Sequence, residues 1–207
     1  MNSKGFSKEL DIRLSEINPG VPFVANDFSD ITNVCTVRKL LNIRTKEGVL
    51  TRVMPGIYML PKVNKLLGVE VPVNPEALAR AIARNHNWNI APCEMTALNA
   101  LGLSTQVPAV WKFISDGPYK SYEINGTVIQ FKHTTNKNIS SMSQTSSLVV
   151  QAFKAIGKND ISREALIKIA KRLSYDDINI LMNDTIRTTS WIRDSIRELK
   201  KIKDEIK

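Results

Sequence analysis

The chain predicts an α+β protein: an N-terminal winged helix-turn-helix, a small α+β domain with an antiparallel sheet, and a helical C-terminal segment. Three observations carry that expectation. Between Val21 and Leu60, two short helical patterns at helix-turn-helix spacing precede a basic, glycine-turned β pattern. Apolar β-rich runs flank Asn125-Gly126, a two-residue hairpin signal. Apolar stripes of helical period then dominate the last third of the chain. The predicted divisions are 1–65, 66–145 and 146–207.

Taken in order, Lys8 to Ile17 places Leu10, Leu14 and Ile17 on one helical face, and Asn18-Pro19-Gly20 stops it. Asn26 caps a short helix that runs through Phe28 and Ile31, and Thr32-Asn33 is the turn. The next helix spans Val34 to Thr45 and ends at Gly48. Strands are expected at Val49–Val53 and Ile57–Leu60, around the turn Met54-Pro55-Gly56. Pro61 to Pro72 reads as the crossover out of the first domain.

Asn74-Pro75-Glu76 opens a helix with Leu78, Ile82 and Ala83 on one face. A short strand at Ile90-Ala91 follows, then a helix from Cys93 to Leu101, stopped by Gly102. Val110–Ser115 is a strand, and Tyr122–Ile124 with Thr127–Phe131 form the Asn-Gly hairpin. Thr134 to Thr145 is polar and expected as a loop. Beyond it, Ile161, Ala165, Leu166, Ile169, Ala170 and Leu173 form one stripe, and Ser174 with Asp177 marks a helix start. The last helix aligns Trp191, Ile192, Ser195, Ile196, Leu199 and Ile202.

Composition narrows the partners. The 207 residues carry a formal charge of +9, with 43% hydrophobic and 24% charged side chains, which is ordinary globular usage. Residues 1–65 hold ten basic and six acidic side chains, 66–147 hold six and five, and 148–207 hold thirteen and nine. Positive charge therefore sits at both ends, which favours an anionic partner. The two cysteines have no framework spacing and suit a reducing compartment. Met1 to Leu14 lacks the apolar core of a signal peptide, and no apolar run has membrane-spanning length. A cytoplasmic protein with no membrane partner is the expectation.

On the Val34–Thr45 helix, Val37, Leu40, Leu41 and Arg44 share one side, where the aliphatics pack inward. The other side carries Asn33, Thr36, Lys39 and Asn42, with Cys35 and Arg38 at its margins. Short polar and cationic side chains there reach base edges and phosphates in a major groove. Arg44, Lys46 and Arg52 lie in or beside the expected wing and would pair with backbone phosphates. Cys35 reads as a small, partly buried filler rather than a redox sensor. A winged helix used only for packing or protein binding is the plainer alternative.

Catalytic signatures are weak by comparison. No phosphate-binding G-x-x-x-x-G-K loop, G-x-S-x-G elbow or H-E-x-x-H helix occurs, and His86 and His133 are isolated. Asp176-Asp177 is explained by helix capping. Neither a cofactor nor a metal site is expected, and a nuclease of scattered carboxylates is the enzyme alternative. On the terminal helix, Trp191 is a core aromatic or, with Arg193 and Arg197, the anchor and rim of a docking surface.

The stretch DF…V-x-x-L-L…GVLTRVMPGIY, followed by VNPEALARAIARNHNWNIAP and ALNALGLSTQVP, resembles the AbiEi-type antitoxins of bacterial abortive-infection toxin–antitoxin systems. The likeness covers about residues 20–135, and ALNALGLSTQVP at 97–108 is its most specific part. It implies an N-terminal winged helix joined to a larger antitoxin domain. It also implies a protein that represses its own operon and antagonises a nucleotidyltransferase-like toxin, in phage defence. Operator binding transfers onto the Asn33–Asn42 face and Arg52. Trp191, Arg193 and Arg197 are the residues expected to face the toxin. A stand-alone winged-helix regulator with a ligand-binding or oligomerisation domain is the other reading.

Overall fold

The computed structural model describes residues 3–135 and 141–206. It is an α+β fold of two compact units, Met1–Trp88 and Asn89–Lys207. Residues 136–140, inside the stretch expected as a polar loop, lie outside the described residues.

In the first unit, α1 (Ser3–Ser15) begins earlier than its apolar spacing suggests and buries Leu10 and Leu14. A two-residue strand, β1 (Phe23–Val24), leads into a single 3₁₀ turn at Ala25–Phe28. Two residues offer no alternation to read, so sequence inspection passes over β1. Helix α2 (Val34–Lys46) follows, then β2 (Thr51–Met54) and β3 (Ile57–Met59) in a sheet ordered β1-β3-β2. Strand β2 starts two residues later than expected. The amides of Val49 and Leu50 both donate to the Arg44 carbonyl, so these residues finish the end of α2 instead.

Phe23 meets Phe28 edge-on at 5.6 Å and stacks on Tyr58 at 6.5 Å. Around these rings pack Leu10, Leu14, Ile31, Val37, Leu41 and Leu50. The expected crossover at 61–72 is not featureless. It contains a second hairpin, β4 (Val63–Asn64) paired with β5 (Val69–Glu70). Helix α3 (Pro75–His86) is opened by Asn74, whose side chain accepts from the Ala77 amide, and closed by Asn87 at φ +55°. The sequence division drew a boundary at 65, yet this unit runs to Trp88 because α3 packs on β1, β3 and the 3₁₀ turn. Arg84 reinforces that packing by donating to Asp27 and to the Pro22 carbonyl.

The second unit begins with β6 (Ile90–Pro92) and α4 (Glu94–Ala100). Three strands follow: β7 (Val110–Ser115), β8 (Lys120–Ile124) and β9 (Thr127–His133), in a sheet ordered β6-β7-β9-β8. The expected antiparallel sheet is in fact mixed, since β7 and β9 run parallel. The cause is local. The Asn125-Gly126 turn, with both residues at positive φ, folds β9 back from β8 into the gap between β7 and β8. The ladder is pinned at its end by the Thr134 amide on the Ser115 carbonyl.

Helices α5 (Gln144–Ile156), α6 (Arg163–Arg172), α7 (Tyr175–Asp184) and α8 (Ser190–Glu205) complete this unit. Their apolar stripes meet in one core that includes Phe153, Leu166, Ile169, Leu181, Ile196 and Leu199. Ser143, Ser162 and Ser174 cap α5, α6 and α7. Gly102 ends α4 at φ +68°, as its position suggests. The Arg172 guanidinium lies against it and donates to the Ala100 carbonyl at 2.6 Å.

Gly102→Ala would force a left-handed alanine whose methyl lies 3.1 Å from that guanidinium. A loss of about 1–2 kcal/mol in urea denaturation is expected. The Asp177 carboxyl is held below its usual range, first by the Ser174 hydroxyl and then by the Ser174 amide. A depressed carboxyl contributes stability above its unfolded pKa of about 3.9, and that contribution disappears as pH falls through the folded value. Asp177→Asn should therefore flatten the acid limb below about pH 4 in urea midpoints taken across pH.

Candidate nucleic-acid interface

The N-terminus of α2 is set by Asn33, whose Oδ1 accepts from the Thr36 amide at 2.9 Å. Val37 and Leu41 are fully buried, which fixes the rotation of the helix about its axis. Cys35, Lys39, Asn42 and Lys46 consequently face solvent, with Arg38 exposed beside them and Thr36 half-buried at the margin. Cys35 is exposed, not the partly buried filler expected, because it lies opposite the Val37–Leu41 edge.

Strand β2 extends this face. Arg52 is exposed and stands opposite Tyr58 across the β2–β3 ladder, so both side chains share one side of the sheet. The Tyr58 hydroxyl in turn donates to Asn42 Oδ1 at 3.0 Å. That chain of contacts puts Arg52 on the side of the sheet that meets the exposed edge of α2. Of the eight expected DNA-contacting residues, Arg38, Lys39, Asn42, Lys46 and Arg52 are exposed on this side, while Asn33 caps the start of α2 and Thr36 is half-buried beside it. Among the described residues, Arg38, Lys39, Lys46 and Arg52 make no ion pair.

Arg44 is the exception. Its guanidinium donates to both carboxylate oxygens of Asp11, to Glu47 and to the Ser7 hydroxyl, and its side chain is only 18% exposed. These bonds push its pKa above the ordinary arginine value, Asp11 foremost. Arg44 clamps α2 to α1, with four of its five N–H donors already committed within the protein. Its side of the helix follows from the spacing with Val37, Leu40 and Leu41; its acidic partner, 33 residues earlier, does not.

The residues expected to face a toxin are partly committed as well. Trp191 is half-buried against the helical core. Arg193 donates to the Ile186 and Thr188 carbonyls and so closes the turn after α7. Arg197 is exposed and pairs with Asp194.

Sequence reading missed one charged cluster. Glu94 sits at φ +52°, a strained setting for a non-glycine residue, and accepts from both Lys112 and Lys132. Those two lysines, Lys112 first, hold its carboxyl below the usual range. Burial pushes the neighbouring Cys93 thiol up to about 11. The cluster ties α4 to β7 and β9; nothing in the local sequence pairs residues 94, 112 and 132. Among the described residues, no three His, Cys, Asp or Glu side chains are grouped to hold a metal.

The molecule is thus an α+β protein whose first unit presents a cationic helix-and-strand surface. It belongs to DUF6088, a family of unknown function, matched over residues 10–181. That span crosses both compact units and ends within α7, ahead of α8. No curated protein matches the chain.

The clamp and the open surface are separable by mutation. Arg44→Ala should lower the unfolding free energy by about 1–2 kcal/mol. Lys39→Ala should stay within about 0.5 kcal/mol of the parent in the same denaturation experiment.

Proposed function

We propose that the first unit is a winged helix-turn-helix that binds duplex DNA through α2 and β2, and that the chain acts as a transcriptional repressor. The single observation that carries this is the surface formed by Arg38, Lys39, Asn42, Lys46 and Arg52, cationic and open to solvent on one rigid frame. The element order supports it: α1, β1, a short helical turn, α2, then β2 and β3 in a β1-β3-β2 sheet. In this reading α2 enters the major groove, where Lys39 and Asn42 reach base edges and Asn33 and Thr36 mark the phosphate-facing start of the helix. Arg38, Lys46 and Arg52 hold the flanking phosphates. Arg44 takes no part.

The resemblance to AbiEi-type antitoxins extends the proposal to a second role, opposing a nucleotidyltransferase-like toxin encoded beside this chain. What supports it is the Ala97–Pro108 stretch, which here ends α4 and lies in the second unit. DNA reading and toxin antagonism then belong to different units.

A gel-shift series on the chain's own upstream region tests the first role. Lys39→Glu and Arg52→Glu should each weaken binding by about ten-fold or more and make the salt dependence shallower by about one ion per contact. Equal affinity for random duplex would overturn specific repression. Co-expression with the neighbouring gene product tests the second role. Rescue of growth should persist in both charge-reversal variants, and loss of rescue in them would contradict the division between units.

A further inference from the structure

The β4–β5 hairpin is built in a way that the proposed recognition surface does not use. Its two strands form a sheet of their own with two residues apiece, and a two-stranded ribbon is marginal in water without an apolar partner. Yet its large aliphatic side chains point outward: Leu66 is 95% exposed, Leu67 71%, Val63 56% and Val69 55%. The tip is not slack. Asn64 Oδ1 accepts from the amides of Leu66 and Leu67, and the Asn64 carbonyl accepts from Gly68, which turns the chain at φ +65°. An apolar tip fixed by its own hydrogen bonds is preorganised to enter something.

Resting on the DNA reading above, we propose that this hairpin is a minor-groove wedge, with Leu66 and Leu67 entering between base steps and Lys62 and Lys65 holding the adjoining phosphates. Three observations select duplex DNA as the occupant. First, Lys62 and Lys65 are exposed and flank the aliphatic tip, which is the charge pattern of an apolar wedge that must approach phosphates. Second, the ribbon is anchored next to the proposed interface: Thr51 donates to Glu70 at 3.2 Å, one residue from Arg52. Third, four aliphatic side chains, at roughly 60–120 Å² each, fall short of the ~800 Å² per partner that a stable dimer needs. The β2–β3 turn is poorly placed for this work, because Gly56 at its tip lies against Asn85 of α3.

The test uses the full chain and a duplex of about 30 base pairs with a central TA step, the step most easily unstacked. The duplex carries end-to-end fluorophores and, in a second preparation, 2-aminopurine beside the step. The parent chain should shorten the end-to-end distance and raise 2-aminopurine fluorescence. The Leu66→Ala/Leu67→Ala double variant should still bind, with affinity lower by on the order of ten-fold, and lose both signals. Both substituted side chains are solvent-exposed, so thermal unfolding should match the parent. A double variant that bends and unstacks the duplex as the parent does overturns the wedge. So does a double variant whose only change is a shift from dimer to monomer in sedimentation, which assigns the hairpin to a second copy. Failure of the parent to bind any duplex overturns the DNA reading itself, a result distinct from binding without a bend.

Discussion

Burial of Val37 and Leu41 against Phe28 and Tyr58 is the contact on which the first unit turns. An α-helix can roll about its axis, and each residue of roll moves a different side chain to the surface by about 100°. Two buried aliphatic anchors on one edge remove that freedom, because exposing them costs about 1.5–3 kcal/mol apiece. The Arg44 clamp to Asp11 then locks the helix from the adjacent side. Once α2 is held in this orientation, Lys39 and Lys46 have no alternative to solvent, and the same is true of Cys35.

Tyr58 links that helix to the sheet. Its ring belongs to the aromatic core with Phe23, while its hydroxyl reaches across to Asn42. A buried phenol needs a partner for its hydroxyl, and Asn42 supplies it at the edge of the exposed face. Through this one residue the core positions Arg52, its cross-strand neighbour, beside the helix. Charge on the surface is therefore organised from within.

The second unit follows different physics. Its sheet depends on a hairpin whose Asn-Gly turn sends β9 into the gap beside β7, and its helices depend on serine caps and a shared aliphatic core. The strained Glu94 between Lys112 and Lys132 is the price of tying α4 to two parallel strands, since a carboxylate there satisfies two ammonium groups at once.

Local chemistry was legible wherever it acts over a few residues. The helix caps at Asn74 and Ser174, the Gly102 stop and the Asn125-Gly126 turn all follow from residue type and spacing, and so does the open cationic side of α2. What depended on distant partners was hidden. Arg44 reads as a wing cation until Asp11 is set beside it, and Arg193 as the rim of a docking surface until the Ile186 and Thr188 carbonyls are. The parallel pairing of β7 with β9, the return of α3 onto the first unit and the Glu94 cluster were likewise decided in three dimensions. Periodicity and capping report each segment's preference, because their energies come from neighbours in the chain. Which charge is free and which strand lies beside which are set by contacts between segments far apart in sequence, and those only the packed structure decides.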